Sequence, residues 1–434
     1  MNDNLKNEII AYYQTKFPFK QFIAGESSIP VSGKIFDEQE IINGVEAVLD
    51  GWWTEGRFSD LFEQKLSHWL GVKNVILVNS GSSANLLAMS ALTSNKLGDH
   101  RMKPGDEVIT VAAGFPSTVN PIIQNGFVPV FVDVEVGSYN ILIDQIKMAL
   151  SSKTKAIFVA HTLGNPFDIS AVDQICKEHN LWFIEDNCDA LGSRYAGKHT
   201  GTYGHIATCS FYPAHHITMG EGGAVFTNDD VLSVIVRAMR DWGRDCRCKT
   251  GHDDTCGMRF GWQLGKLPFG YDHKYIYSEI GYNLKVTDIQ AAIGLAQLDK
   301  LDGFVDKRRE NFKILYDGLK KYEQYFILPK WLDQAEPSWF GFLLTIREDA
   351  PFTRNEIIKF LQGEQIATRY LFGGNLIKQP YFVDSDIKYR IVGDLKNTDL
   401  IMNNTFWVGV YPGITEIMAN HMVAAFINFL EKYD

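Results

Sequence analysis

The feature that most constrains the fold is a series of short apolar runs that alternate with helix-length stretches between residues 75 and 228. Most runs are rich in β-branched or other apolar residues and are bounded by Gly, Pro, Asn or Asp, which is typical of buried strands. The predicted strands are 75–79, 107–112, 128–134, 156–161, 181–186, 206–212 and 224–227. This alternation predicts an α/β fold with an open, mainly parallel seven-stranded sheet covered by helices.

The pattern changes from about residue 325. Segments 338–347 and 366–371 predict strands, while 355–364 and 416–432 predict helices. This layout indicates a smaller α+β domain at the C-terminal end. We therefore expect a large domain over residues 51–300 and a small domain over 301–434, with part of residues 1–50 packed against the latter.

Composition excludes several classes of protein. The 434 residues carry a net charge of −10, from 52 acidic and 42 basic side chains, with no basic stripe, so nucleic-acid binding is not expected. No apolar run approaches the ~18 residues of a membrane span. The first 17 residues mix charges and lack the apolar stretch of a signal peptide. These observations predict a cytoplasmic protein.

Polar residues follow several predicted strands, at the edge of a parallel sheet where ligands bind. A small-residue turn, 79–85, contains Ser82 and Ser83 and precedes a helix. Backbone N–H groups at a helix N-terminus attract phosphate, although such turns also simply cap helices. Asp186 ends an apolar strand, where its carboxylate needs a partner such as a ring N–H, or caps the next helix. Phe115 follows strand 107–112. It is either a ring that stacks on a flat ligand or an ordinary core residue.

Segment 210–223 lies between two predicted strands and contains His215 and His216. An imidazole is an effective acid or base near neutral pH. The alternative is that both histidines are polar turn residues. Tyr212, three residues before His215, is either a positioning group or a core aromatic.

Three of the six cysteines, Cys246, Cys248 and Cys256, fall within eleven residues of a polar, Gly- and Asp-rich segment. A fourth, Cys188, is separated from Cys246 by 57 intervening residues. Four thiolates can bind zinc or an iron–sulfur cluster. The spacing fits paired zinc knuckles poorly, and unligated thiols are the remaining alternative. Cys176 and Cys209 are expected to be buried thiols.

Segment 210–223, the Ser/Gly turn, the Asp186 strand end and the cysteine spacing together resemble the DegT/StrS family of pyridoxal-phosphate-dependent sugar aminotransferases. The cysteines resemble its iron–sulfur branch, which dehydrates CDP-4-keto-6-deoxy-D-glucose. The resemblance implies the aspartate-aminotransferase-like fold, type I. His215 stands where the aminotransferases have their Schiff-base lysine. An imidazole cannot form a stable imine, so the cofactor is expected to be pyridoxamine phosphate, held without a covalent bond.

The resemblance also implies roles for individual residues. Catalysis is assigned to His215, Tyr212 and Asp189, the last standing where the family commonly has glutamine. The cofactor is expected to contact Gly81, Ser82, Ser83, Phe115, Asp186, Asp189, Ser210 and, from a neighbouring subunit, Asn283. A 2Fe-2S cluster is expected on Cys188, Cys246, Cys248 and Cys256, with an iron–sulfur loop near 241–257.

The implied reaction is C3 dehydration of a nucleotide-linked 4-keto-6-deoxyhexose through a pyridoxamine phosphate imine, with His215 as base. Electrons would pass through the cluster from an NADH-dependent flavin/iron–sulfur reductase, in 3,6-dideoxyhexose and O-antigen biosynthesis. A homodimer is also implied. The alternatives are a pyridoxal-phosphate-dependent nucleotide-sugar aminotransferase, a dehydrase without an electron relay, and a non-catalytic protein stabilised by a metal.

Overall fold

The computed structural model describes residues 1–433. The helices are α1 (Asp3–Lys16), α2 (Glu38–Leu49), α3 (Arg57–Leu70), α4 (Gly81–Ala91), α5 (Pro116–Gln124), α6 (Ile143–Ala149), α7 (Ile169–His179), α8 (Asp230–Arg240), α9 (Asp288–Leu298), α10 (Leu301–Leu319), α11 (Arg354–Gly363), α12 (Pro380–Val383), α13 (Lys396–Asn404) and α14 (Glu416–Leu430). The strands are β1 (Asn74–Val78), β2 (Glu107–Val111), β3 (Val128–Val132), β4 (Thr154–Ala160), β5 (Trp182–Asp186), β6 (Arg194–Tyr195), β7 (Lys198–His199), β8 (Ile206–Ser210), β9 (Gly223–Thr227), β10 (Phe326–Ile327), β11 (Ala335–Glu336), β12 (Gly341–Ile346), β13 (Thr368–Arg369), β14 (Arg390–Ile391) and β15 (Thr405–Gly409). Within this part of the chain, no helix combines the length and the apolar character needed to cross a membrane.

The main sheet has the order β1-β9-β8-β5-β4-β2-β3-β14. Strands β8, β5, β4, β2, β3 and β14 run parallel, while β9 is antiparallel to both of its neighbours. The predicted α/β fold with a mainly parallel sheet is confirmed, and each of the seven predicted strands is present. The eighth strand, β14, is two residues long and joins the edge from the C-terminal part of the chain. It is too short to leave a periodic pattern in the sequence.

Alternate side chains of the central strands enter two different hydrophobic layers. In β4, Ile157 and Val159 pack in the layer that contains Ile175 of α7. Phe158, between them, packs in the layer that contains Leu87 of α4. Helices on both faces therefore bury the sheet completely, which is why these strands are continuous apolar runs.

A second sheet, in the order β10-β12-β15-β13, forms with α10, α11 and α14 a separate hydrophobic cluster. Phe312, Phe342 and Phe426 lie in this cluster, and Ile29 from the N-terminal segment joins it. Ile29 also pairs with Ile366 as a parallel bridge. The division of the chain into domains 51–300 and 301–434 stays a prediction, and residue 434 lies outside the described residues.

Candidate active site

The carboxyl ends of β5 and β8 lie side by side, because Asp186 pairs in register with Thr208. Ser210 ends β8 at this edge, and α4 begins against it. A Cβ added to Gly81 would lie 2.4 Å from the Cβ of Ser210, so the two backbones are in direct contact. The structure thus brings the predicted phosphate residues Gly81 and Ser210 together.

The first turn of α4 forms a cradle suited to an anion. Ser80 caps the helix, its Oγ accepting the N–H of Ser83 at 3.0 Å. The first N–H groups of a helix have no partner within the helix, and the helix dipole favours negative charge there. Ser82 and Ser83 lie in this turn and add hydroxyl groups. These features fit the phosphate of a pyridoxal-type cofactor.

Gly81→Ala is expected to displace the cradle, because its methyl group would overlap Ser210. Overpacking of this kind typically costs about 1–3 kcal/mol, and we expect the affinity for pyridoxamine phosphate to fall with stability. Fluorescence titration of the cofactor, with a thermal melt, measures both. The matched control is Gly303→Ala in α10, where an added Cβ meets nothing within 4 Å. Equal cofactor affinity in both variants would contradict the cradle.

Asp186 is buried and held by a set of neutral donors. Its Oδ2 accepts hydrogen bonds from Asn85 Nδ2 at 2.9 Å and from Thr118 Oγ1 at 2.7 Å. Its Oδ1 accepts the backbone N–H of Cys188 at 3.1 Å. Thr208 Oγ1 in turn donates to Asn85 Oδ1. Such a network fixes the carboxylate in one orientation, as a partner for a protonated ring nitrogen requires.

Asn85, Thr118 and Thr208 were not among the predicted site residues. Asn85 lies in the turn 79–85, which the sequence singled out for phosphate, and Thr118 lies three residues after Phe115, the predicted ring contact. The sign in the sequence that could have identified them is a polar side chain beside small residues. Only the fold shows that they point at Asp186.

Thr118→Val is expected to weaken cofactor binding about tenfold, because Asp186 loses one donor while side-chain volume is kept; a hydrogen bond to a charged group contributes ~1.5–3 kcal/mol. Thr118→Ser should restore binding. The control is Thr110→Val, since the buried Thr110 hydroxyl has no hydrogen-bond partner among residues 1–433. Cofactor titration distinguishes the three. A Thr118→Val protein that binds like wild type would show that Asp186 does not depend on this donor.

His215 lies beside Asp189, with 3.3 Å between Nε2 and Oδ1, and both side chains are partly exposed. Asp189 lies three residues beyond the end of β5, and His215 five beyond the end of β8, so the adjacent strands bring them together. The Asp189 carboxylate lies beside Nε2, while Nδ1 is buried without a hydrogen-bond partner among residues 1–433. An imidazole next to a carboxylate is an arrangement suited to general acid–base chemistry.

The main-chain carbonyl of His215 is held by a buried arginine. This carbonyl accepts a hydrogen bond from Arg308 Nη2 at 3.2 Å. Arg308 is fully buried in α10 and also donates to the carbonyl of Trp339. Sequence reasoning did not identify Arg308, because a single arginine in a helical pattern gives no sign of burial.

His216 has a different environment. It is buried, and its Nε2 lies 2.7 Å from the carbonyl oxygen of Ser338. Burial, with a further contribution from the nearby Arg308 guanidinium, holds the pKa of His216 well below its usual value. His216 is therefore a neutral structural histidine, and His215 is the one available for chemistry.

Two predicted aromatic residues lie at the open side of the site. Tyr212 is 49% exposed, with its ring centroid 6.2 Å from that of His215. Phe115 is 52% exposed and contacts Phe372 edge to face. Neither is a core residue, and each presents a free ring face to a ligand.

Asn283 is exposed, and its Oδ1 accepts a hydrogen bond from Lys285 Nζ at 2.9 Å. Asn283 also forms an isolated antiparallel β-bridge with Asp241, which precedes Cys246 in the chain. Its predicted contact with the cofactor of a neighbouring subunit stays a prediction.

The cysteines do not assemble into one site within the chain. Cys246 and Cys248 are partly buried and Cys256 is exposed, all in an irregular loop, while Cys188 lies beside Asp186. Over residues 1–433, no group of three or more His, Cys, Asp or Glu side chains is arranged to hold a metal ion. The thiols have the right chemistry for a cluster, but one chain alone does not provide its geometry. Cys176 and Cys209 are buried, as expected.

Residues 36–427 match the family described as "DegT/DnrJ/EryC1/StrS aminotransferase family". "Lipopolysaccharide biosynthesis protein RfbH" of Salmonella typhimurium is 54% identical over 429 residues, 99% of this chain and 98% of that protein. The "dTDP-4-dehydro-2,6-dideoxy-D-glucose 3-dehydratase" of Saccharopolyspora spinosa is 51% identical over 411 residues, 95% of this chain and 88% of that protein.

A solved structure, "E coli GDP-4-keto-6-deoxy-D-mannose-3-dehydratase with bound hydrated PLP", superposes with a TM-score of 0.82 at 28% sequence identity. The match covers 92% of this chain and 98% of that one. This agreement confirms the predicted aminotransferase-like fold, type I. With the family match over most of its length, the chain belongs to the DegT/DnrJ/EryC1/StrS aminotransferase family.

Proposed function

We propose that this protein is a pyridoxamine-phosphate-dependent nucleotide-sugar 3-dehydratase of deoxysugar biosynthesis. The observation that carries the proposal is the His215–Asp189 pair at the carboxyl edge of the sheet. A base that cannot form an imine stands where the aminotransferases of the family have their lysine. Relatives named as 3-dehydratases support the same reaction class.

The residues at this edge fit a pyridoxal-type cofactor. Gly81 and Ser210 would hold the phosphate, Asp186 would pair with the ring nitrogen, and Phe115 would stack on the ring. When bound, pyridoxamine phosphate supplies the amine that condenses with the C4 ketone and a ring that takes up electrons. The three hydrogen bonds on Asp186 keep its carboxylate oriented toward that ring nitrogen.

His215 is assigned the proton transfers. His215 Nε2 lies 3.3 Å from Asp189 Oδ1, so the carboxylate can stabilise a proton on the imidazole. After it has accepted a proton, the imidazolium is stabilised by the Asp189 carboxylate and can donate that proton to the departing C3 hydroxyl. The ring of Phe340, whose centroid is 5.4 Å from that of His215, limits the movement of the imidazole. Tyr212 lies where it can position the sugar.

Net deoxygenation at C3 also needs two electrons. Their proposed source is an NADH-dependent flavin/iron–sulfur reductase, and the four cysteines are the residues that would hold a 2Fe-2S cluster. Because these cysteines do not meet within one chain, we assign no step to a cluster. Iron and sulfide analysis of anaerobically purified protein tests the cluster; equal amounts of both, with visible bands bleached by dithionite, support it. Zinc or no metal would favour a dehydratase without an electron relay.

The substrate is proposed as a nucleotide-linked 4-keto-6-deoxyhexose, with CDP as the predicted nucleotide and O-antigen sugars as the predicted pathway. The relative named for lipopolysaccharide biosynthesis supports the pathway. Relatives named for dTDP and GDP sugars make the nucleotide the least constrained part of this proposal. A homodimer and a cytoplasmic location also stay predictions.

The test is a reaction of the pyridoxamine-phosphate-loaded protein with CDP-, dTDP- and GDP-linked 4-keto-6-deoxyhexoses. Mass spectrometry and NMR of the sugar show whether the C3 hydroxyl is lost. We expect its loss with at least one of the three, most rapidly with CDP. A sugar that keeps its C3 hydroxyl and gains an amine at C4 would identify an aminotransferase instead.

A further inference from the structure

The segment that carries three of the cysteines has an unusually apolar exposed surface. We call residues 242–280 the cysteine loop. Its exposed side chains include Ile280, 92% exposed, and Phe269, 72% exposed. Met258, Phe260 and Tyr277 of the same loop are also exposed. A concentration of large apolar side chains on one irregular segment marks an interaction surface.

This apolar surface continues toward the active site. Gly251 of the cysteine loop lies against the ring of Trp52, where an added Cβ would come within 2.8 Å. Trp52 and its exposed neighbour Trp53 follow α2. Between α2 and α9 lies an apolar groove of about 550 Å³ that reaches Pro213, two residues before His215. The loop is thus in contact with Trp52, and the groove lies beside the candidate site.

The cysteine loop is fixed to its own chain. Lys249 Nζ is 2.7 Å from Asp60 Oδ1 in α3. The base of the loop is closed by a bridge between Arg244 and Tyr277. The loop thus carries three thiols in an irregular, apolar surface, while the single thiol of Cys188 is partly exposed at the carboxyl edge.

We propose that the four predicted cluster cysteines come together between two chains. Cys188 comes from one copy, and Cys246, Cys248 and Cys256 come from the cysteine loop of a second copy. The apolar surface is then the interface between the copies. A second copy fits better than an unrelated partner, since it supplies the missing thiol from the same sequence. Two-fold symmetry completes two equivalent sites at once. The inference rests on the proposed function only for the identity of the metal group.

The test uses hybrid dimers made by co-expressing two differently tagged chains, purified on both tags and reconstituted anaerobically with iron and sulfide. The first hybrid pairs a Cys188→Ser chain with a Cys248→Ser chain. The second pairs a wild-type chain with a chain carrying both substitutions. We expect the first hybrid to hold half the iron of the wild-type dimer and the second to hold none. A cluster built within one chain predicts the reverse, and that result would overturn the inference.

A second measurement does not depend on metal. Mild oxidation of the metal-free protein should produce a disulfide between Cys188 of one chain and the cysteine loop of the other, seen as a covalent dimer and located by peptide mass spectrometry. Cys188→Ser should abolish the dimer, while Cys176→Ala, which removes a buried thiol outside the set, should not. If wild type binds no iron but forms this link, the cluster is wrong and the shared arrangement stands. A protein that sediments as a monomer, or forms no such link, overturns the arrangement.

Discussion

His215→Asn is expected to lower the rate of C3 dehydration by about 10²–10⁴-fold, the contribution typical of a positioned acid or base. Asparagine cannot take a proton, although its amide remains a polar neighbour of Asp189. Because the His215 side chain is partly exposed, the fold should be retained. Single-turnover assays with excess enzyme, together with a thermal melt, measure the two effects separately.

His215→Lys is the complementary variant. A lysine amine can form an imine with pyridoxal phosphate, so we expect a Schiff-base absorption band together with a fall in dehydration. The control is His216→Asn, which removes the hydrogen bond of Nε2 to the Ser338 carbonyl and should lower the melting temperature more than the rate. A His215→Lys protein that dehydrates at the wild-type rate would mean that His215 is not the base.

Asp186→Asn is expected to have the second large effect. Truncating one partner of a buried, charge-assisted contact costs about 2–5 kcal/mol, which is roughly 30- to 5,000-fold in kcat/KM. Asparagine keeps the shape of the side chain but cannot stabilise a protonated ring nitrogen. The absorption maximum of the bound cofactor should therefore shift as well, which simple loss of stability would not cause.

The matched control for Asp186 is Asp133→Asn. Asp133 is also buried at the carboxyl end of a strand, β3, but its Oδ1 accepts the N–H and the hydroxyl of Thr398, at 2.8 and 2.7 Å. Its role is to join α13 to the main sheet. Asp133→Asn should lower stability and leave the cofactor spectrum unchanged. Equal cofactor spectra for the Asp186→Asn and Asp133→Asn variants would show that Asp186 does not contact the cofactor.

Strong local patterns in the sequence predicted the sheet and the ends of its strands. Buried parallel strands are continuous apolar runs, so a polar residue such as Asp186 at the end of one is conspicuous. The strand β14 was missed because two residues have no period. The hydrogen bonds from Asn85 and Thr118 to Asp186 were missed because these residues are far apart in the sequence. Asn85 lies 101 positions before Asp186, and Thr118 lies 68 positions before it.

The cysteines show a different limit. Their spacing predicted a common ligand set, but spacing along a chain does not determine which chain supplies each ligand. In the folded chain, Cys188 belongs to the carboxyl edge of the sheet, while Cys248 lies in the loop and contacts Thr255. A motif can thus be correct in composition while its geometry depends on assembly.

We propose that His215 performs the proton transfers of the site without a covalent bond to the cofactor. The most direct test is the intact mass of the wild-type protein after borohydride reduction of its pyridoxal phosphate complex. We predict no covalent adduct in wild type and one adduct in His215→Lys, the positive control. A wild-type protein that gains one cofactor on an active-site lysine would contradict the claim and make this chain an aminotransferase.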